Sequence, residues 1–151
     1  MIGRLNDGQI RQILQSQMVG RIGCHSKDKV YIVPITYVYS DGYIYCHSKP
    51  GLKIDMMRNN KGICFQVDIM DNMANWRSAI VWGEYEEFEN EDEKTKAMEI
   101  LADRVMPILT SKTVTDPSSL QLPHAIEKHL KAIPFRIKIT EMTGRYEKTS
   151  S

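Results

Sequence analysis

Residues 33–60, VPITYVYSDGYIYCHSKPGLKIDMMRNN, decide the fold. Alternating β-branched and aromatic residues run into Asp41-Gly42, a dipeptide that accepts the left-handed φ of a tight hairpin, and a second alternating run follows. This pattern predicts strand, turn, strand. The second strand ends at His47-Ser48, and after Lys49-Pro50-Gly51 the period becomes helical, with Leu52 and Met56 four apart and Lys53 and Met57 beside them. The first N–H groups of a helix have no partner within it and point at whatever lies ahead. A hydroxyl, an imidazole and an ammonium gathered there, from Ser48, His47 and Lys53, make a candidate phosphate cradle.

Outward from that stretch, Asn6 to Gln17 carries Ile10, Ile13 and Leu14 at helical spacing, with Asn6 or Asp7 placed to cap the first turn. Gly20 to His25 reads as a strand, Ser26 to Lys29 as a hairpin loop, and Val30 to Tyr39 as one further strand. Pro34 lies in the middle of that strand and cannot donate to a ladder. The strand must therefore be an edge, be bulged, or face something other than a strand there, such as a ligand against Val33 to Thr36. Gly62 to Ile69 alternates again, Asp71 to Asn75 is a loop, and Trp76 to Glu89 is the longest expected strand. Trp76, Ser78, Ile80, Trp82 and Glu84 share one face of it. Trp82 reads as core, whereas Trp76, next to a polar loop, reads as an interface or ring contact. The acidic far end, Glu84, Glu86, Glu87 and Glu89, reads as a solvated strand exit and not as a metal site.

From Asp92 the pattern is helical until Pro107, which is expected to stop it. Thr110 to Leu122 is turn-rich and reads as a loop, a short helix is expected after Pro123, and Phe135 to Glu147 closes the chain as a strand. Strands joined by short connections predict a mainly β (α+β) fold, an antiparallel barrel with short peripheral helices. The length of 151 residues predicts a single domain spanning 1–151.

Composition narrows the function. A net charge of +1 with 26% charged residues supplies no basic field for nucleic acid or an anionic membrane surface. No run approaches the roughly twenty apolar residues of a membrane span, and the N-terminal residues lack an export signal, so a cytoplasmic protein is expected. Cys24, Cys46 and Cys64 are far apart in apolar runs and read as buried thiols. The four histidines show no metal-ligand spacing, so no metal site is expected.

Several features taken in order resemble one family. They are VPITYVY, the D-G hairpin, IYCHS, the glycine and lysine that open the helix, the Asn59-Asn60 pair, an apolar strand, and Trp76-Arg77-Ser78 followed by an apolar run and Gly83. The chain is similar here to the pyridoxamine 5'-phosphate oxidase-like flavin-binding split barrels, and within them to the nitroimidazole-resistance branch. The resemblance implies a six-stranded split barrel that forms a homodimer with FMN, or alternatively FAD, in clefts between subunits. It implies that the backbone of Val33, Pro34, Ile35 and Thr36 borders the isoalloxazine ring. His47, Ser48 and Lys53 would hold the phosphate end, and Asn75, Trp76 and Ser78 would reach across from the other subunit. The implied activity is an FMN-dependent oxidoreductase passing electrons from a reduced pyridine nucleotide to a small acceptor such as a nitroaromatic, with no catalytic acid or base assignable.

Two local departures lie at the cradle: Asn60 is followed by Lys61-Gly62 where the group has a proline, and the spacer between Ser48 and the glycine is one residue short. The final GRYEKTSS lacks the arginine- and tryptophan-containing segment that grips pyridoxamine phosphate, so that activity is not expected. Two other readings remain beside the oxidoreductase: a haem-binding or haem-degrading split barrel using a histidine such as His47 as ligand, and a dimer that holds flavin without turnover. His47 also reads as a structural imidazole at a strand end, and Lys53 as a solvated lysine whose charge opposes the helix dipole unless an anion is near.

Overall fold

A computed structural model describes residues 1–111 and 132–149, with side chains described through 105 and from 132 to 149. The strands are β1 (Ile2–Arg4), β2 (Val19–Ser26), β3 (Lys29–Thr36), β4 (Val38–Ser40), β5 (Tyr43–Ser48), β6 (Gly62–Asn72), β7 (Asn75–Glu87) and β8 (Ile133–Glu147). The helices are α1 (Asp7–Ser16), α2 (Leu52–Asn59) and α3 (Glu91–Ser111). All strand pairings among the described residues are antiparallel, in the order β3-β2-β6-β7-β8-β5-β4, with β1 added on β8. The sheet curls without closing into a ladder, which is a split barrel.

Both hairpins obey the turn chemistry. Asp41 and Gly42 have φ of 49° and 84°, and Lys27 and Asp28 have 50° and 62°, the paired left-handed conformations that match strand twist. α1 starts on a capping box in which the Asn6 side chain accepts from the Gln9 N–H and the Gln9 side chain accepts from the Asn6 N–H.

The expected strand from Val30 to Tyr39 is in fact two strands on opposite edges of the sheet. β3 pairs with β2, β4 pairs with β5, and Tyr37 between them carries the chain across the seam. Tyr37 is fully buried, its hydroxyl donates to the Leu14 carbonyl at 2.8 Å, and its ring meets Phe65 edge-on at 4.9 Å. A continuous alternating pattern cannot reveal such a corner, because alternation continues through it. Pro34 is accommodated because β3 is an edge strand.

Among the described residues there are eight strands, six of which have six residues or more and make up the expected six-stranded barrel. The additional β1 and β4 have three residues each, too short to carry a period. Helix α3 continues through Pro107 to Ser111. Proline forfeits one helical hydrogen bond, and α3 continues past it all the same. The remainder of the expected 110–122 loop and the helix after Pro123 lie outside the described residues.

Trp82 requires a further correction, since it is 38% exposed and not core. The inner face of β7 is Ala79, Val81, Gly83 and Tyr85, and the bulkier even-numbered residues face outward. Small residues suffice inside because Phe65, Tyr37 and Phe135 from other elements fill the barrel. Gly83 sits where β8 bulges, and a Cβ there would run into the Lys138 carbonyl. Cys24 and Cys46 are buried, but Cys64 is only half-buried, on the outer face opposite Trp82.

Candidate functional site

Of the three cradle residues, Ser48 and Lys53 come together at one corner, while His47, adjacent to Ser48 on β5, alternates to the other face of the strand. β5 ends at Ser48, and α2 begins at Leu52 after Gly51, whose extended backbone precedes the helix with no side-chain cap on its first N–H groups. Lys53, in the first turn, donates from Nζ to the Ser48 hydroxyl at 2.6 Å, and that hydroxyl donates to the Lys49 carbonyl at 2.9 Å. Among the described residues no carboxylate pairs with Lys53. Burial pushes its ammonium below the ordinary lysine value, partly offset by the nearby Cys46 and Cys24 thiols. Burial in turn raises the pKa of both thiols, which keeps them neutral. Cys24 pairs with Tyr31 on β3, and Cys46 precedes His47 on β5, so the ammonium lies between the β2-β3 hairpin and β5.

The free edge of β3 reaches the same corner. Val38 pairs with Tyr45, and β3, which precedes it in the chain, also approaches β5. Val33 and Ile35 turn toward the core while Pro34 is exposed. The backbone along this edge, with no strand partner among the described residues, is therefore open to a planar ligand beside the cradle. His47 lies opposite Pro134 of β8 and is half-buried. Among the described residues no three metal-ligating side chains converge.

Asn75, Trp76 and Ser78 are elsewhere. Trp76 pairs with Glu147, the last residue of β8, whereas Ser48 pairs with Ile133, the first. β8 is 15 residues long, and at roughly 3.3 Å per residue the two positions are separated by on the order of 45 Å of strand contour. Trp76 Nε1 donates to the Glu147 carboxylate at 2.9 Å, which fixes the indole. The Asn75 side-chain carbonyl accepts from the Thr149 N–H and hydroxyl, and the Ser78 hydroxyl accepts from Gln66 at 3.0 Å. One chain therefore holds the two halves of the expected site at opposite ends of its longest strand.

A sequence profile of the pyridoxamine 5'-phosphate oxidase family matches residues 6–146. The chain belongs to that family. It is 33% identical over 129 residues to an uncharacterized protein of Rhizobium meliloti, covering 84% of this chain and 83% of that one. Its fold is similar to that of a FAD-binding protein of Mesorhizobium loti, with a TM-score of 0.77 and 26% identity over 98% of this chain and 99% of the other. A Bacteroides thetaiotaomicron protein named for 5-nitroimidazole antibiotic resistance shares the fold at a TM-score of 0.71 and 20% identity, over 97% and 87% of the two chains. The family fold is the split barrel described above.

The acidic end of β7 is used in ion pairs. Glu86 accepts from Arg136 at 3.1 Å, and Glu87 is held by Arg58 and by the Tyr85 hydroxyl. The Arg58 guanidinium, opposed by partial burial and helped by Tyr85, holds the Glu87 carboxyl below the usual carboxylate range. Sequence reasoning missed a cavity of about 600 Å³ at the Trp76 end, bordered by Arg77, Tyr146 and Leu5. No sequence pattern joins those three, because they meet only through the pairing of β7 with β8 and of β8 with β1. Among the described residues no helix is long and apolar enough to cross a membrane.

Proposed function

We propose that two copies of this chain bind flavin, as FMN with FAD as the second candidate, and pass electrons from a reduced pyridine nucleotide to a small acceptor such as a nitroaromatic. The observation that carries this reading is the separation of Ser48 and Trp76 along β8. Both belong to the site implied for the family, yet one small molecule cannot touch both within one chain. A second copy lying antiparallel brings the Trp76 end of one against the Ser48 end of the other, and two-fold symmetry makes two such sites.

The residues present fit a phosphorylated planar cofactor. Among the described residues Lys53 is a half-buried cation without an anionic partner, the Ser48 hydroxyl is within hydrogen-bond reach of it, and the first N–H groups of α2 carry no side-chain cap. The free edge of β3 offers backbone donors and acceptors to the ring, and Trp76 from the second copy offers an aromatic wall fixed by Glu147. A bound flavin supplies the redox chemistry, and the chain's part is to bind it, orient it and screen it from water. The FAD-binding relative in Mesorhizobium loti supports a flavin over other phosphorylated ligands.

The visible spectrum of the purified protein tests this. Two flavin bands, or uptake of added FMN, followed by bleaching with NADH or NADPH, are the expected result. No flavin uptake overturns the reading. A Soret band that moves in His47→Ala assigns haem instead, and flavin binding without bleaching leaves a carrier.

A further inference from the structure

The outer face of β3, β2, β6 and β7 is apolar and open. Strand register sets Ile32, Gly23, Cys64 and Trp82 side by side across it, and Pro34, Arg21, Gln66 and Ile80 form the next row. Ile32 is 65% exposed, and Val30 and Met70 at the two ends of the face are as open. Among the outward positions of these strands, alternate residues of 30–36, 19–25, 64–70 and 76–82, the only Lys, Arg, Asp or Glu are Arg21 and Asp68. Those two lie 3.8 Å apart, and the Gln66 amide donates to Asp68 at 3.2 Å and to Ser78 at 3.0 Å. The polar groups of the face are thus knitted to one another, so covering it strands no charge.

We infer that a second copy of this chain covers this face, with the two-fold axis passing near Arg21. The inference rests on the two-copy reading above and gives it a geometry. Tryptophan, methionine and arginine in the absence of lysine make the composition of an interface centre. Four strands by about eight residues span roughly 20 Å by 25 Å, and side-chain relief brings the accessible area toward the about 800 Å² per partner that a stable interface buries. The axis follows from the two half-sites, which it must exchange. Lys53 belongs to α2, which packs on β2 where Met56 meets Cys24, three residues from Arg21. On the other side Met70, opposite Trp76, is four residues from Gln66, opposite Arg21. Across the sheet, β2 lies between the open edge of β3, toward Lys53, and β7, which carries Trp76. The midpoint of the two half-sites is therefore at Arg21. An isologous contact there sets each Arg21 beside the partner's Asp68, so the same ion pair that knits the single face also joins the two.

A residue on a two-fold axis meets its own counterpart, which cysteine cross-linking reads directly. Under mild oxidation Arg21→Cys should form a disulfide-linked dimer on denaturing gels at least tenfold faster than wild type, whose Cys64 lies roughly 8 Å from Arg21 and twice that from its counterpart. Arg11→Cys, exposed on α1 away from the face, is the control and should behave as wild type. Ile32→Glu, also at an exposed position, should turn a wild-type dimer into a monomer by light scattering with its circular dichroism unchanged. Cross-linking of Arg21→Cys no faster than that of Arg11→Cys, or an Ile32→Glu protein that stays dimeric, overturns the inference. Flavin uptake by a dimer that fails these tests leaves the two-copy reading standing on another face. Rapid cross-linking of Arg21→Cys without flavin uptake in wild type keeps the surface and removes the flavin. A monomeric wild type overturns both.

Discussion

The two ends of β8 are built from different chemistry. At its start, against β5, the chain leaves Lys53 half-buried with the Ser48 hydroxyl as its hydrogen-bond partner among the described residues, beside a helix whose first N–H groups carry no side-chain cap. At its finish, against β7 and β1, Trp76 donates to Glu147 and Asn75 accepts from Thr149, so the polar groups there have partners. A fold stabilised for its own sake would supply Lys53 with a carboxylate, as it does for Arg58 and Arg136. On the proposed reading the unbalanced end receives an anion and the balanced end holds an aromatic surface rigid, each being half of a site completed across two copies.

The largest expected effect comes from breaking what shapes both ends at once. Tyr37→Ala removes the side chain that carries the chain across the seam and should cost about 3–5 kcal/mol of stability, read by denaturant unfolding. Tyr37→Phe, which orphans the Leu14 carbonyl, should cost about 1–3 kcal/mol.

Changes at one end only should separate affinity from stability. Lys53→Ala should weaken FMN binding by about 1.5–3 kcal/mol, the value of a hydrogen bond to a charged group. It should leave the melting temperature of the flavin-free protein unchanged or higher, because a half-buried unpaired ammonium is removed. Trp76→Ala should weaken FMN by about 1 kcal/mol with Lys53 untouched. Both are measured by fluorescence titration of FMN, and equal losses of stability and affinity in Lys53→Ala would dissolve the contrast between the ends.

Smaller effects follow from protonation. Because burial lowers the Lys53 pKa, the folded protein without ligand pays for that charge below the folded value and regains stability as pH rises from it toward the ordinary lysine value. Bound phosphate has the opposite preference, so FMN affinity should fall over that same alkaline window. Glu87 has the usual acid sign: its depressed pKa contributes stability above the unfolded carboxylate value, lost as pH falls through the folded one. Replacing Arg58 with alanine should flatten that acid limb in a stability profile against pH.

Much of this was readable in the chain itself, and the failures have physical causes. The two tight hairpins were legible because paired left-handed residues leave a chemical mark, and α1 because its cap is a side chain. The contact between Ser48 and Lys53 was legible because the two are five residues apart across a strand end and a helix start. The corner at Tyr37 was not, since an edge-to-edge crossing preserves strand alternation. Trp82 misled because an outer face that carries Trp and Ile beside an inner face of Ala, Val and Gly looks inverted until the bulk contributed by other strands is seen. The distance between Ser48 and Trp76 was invisible because it depends on the register of both β5 and β7 against β8.

Mixed dimers test the central claim most directly. Lys53→Ala and Trp76→Ala chains, each weak in FMN binding alone, are unfolded together, refolded and titrated with FMN. If each site draws Lys53 from one copy and Trp76 from the other, every mixed dimer contains one intact site, and about a quarter of all sites should regain wild-type affinity. A mixture that binds no better than the two variants separately would contradict the account.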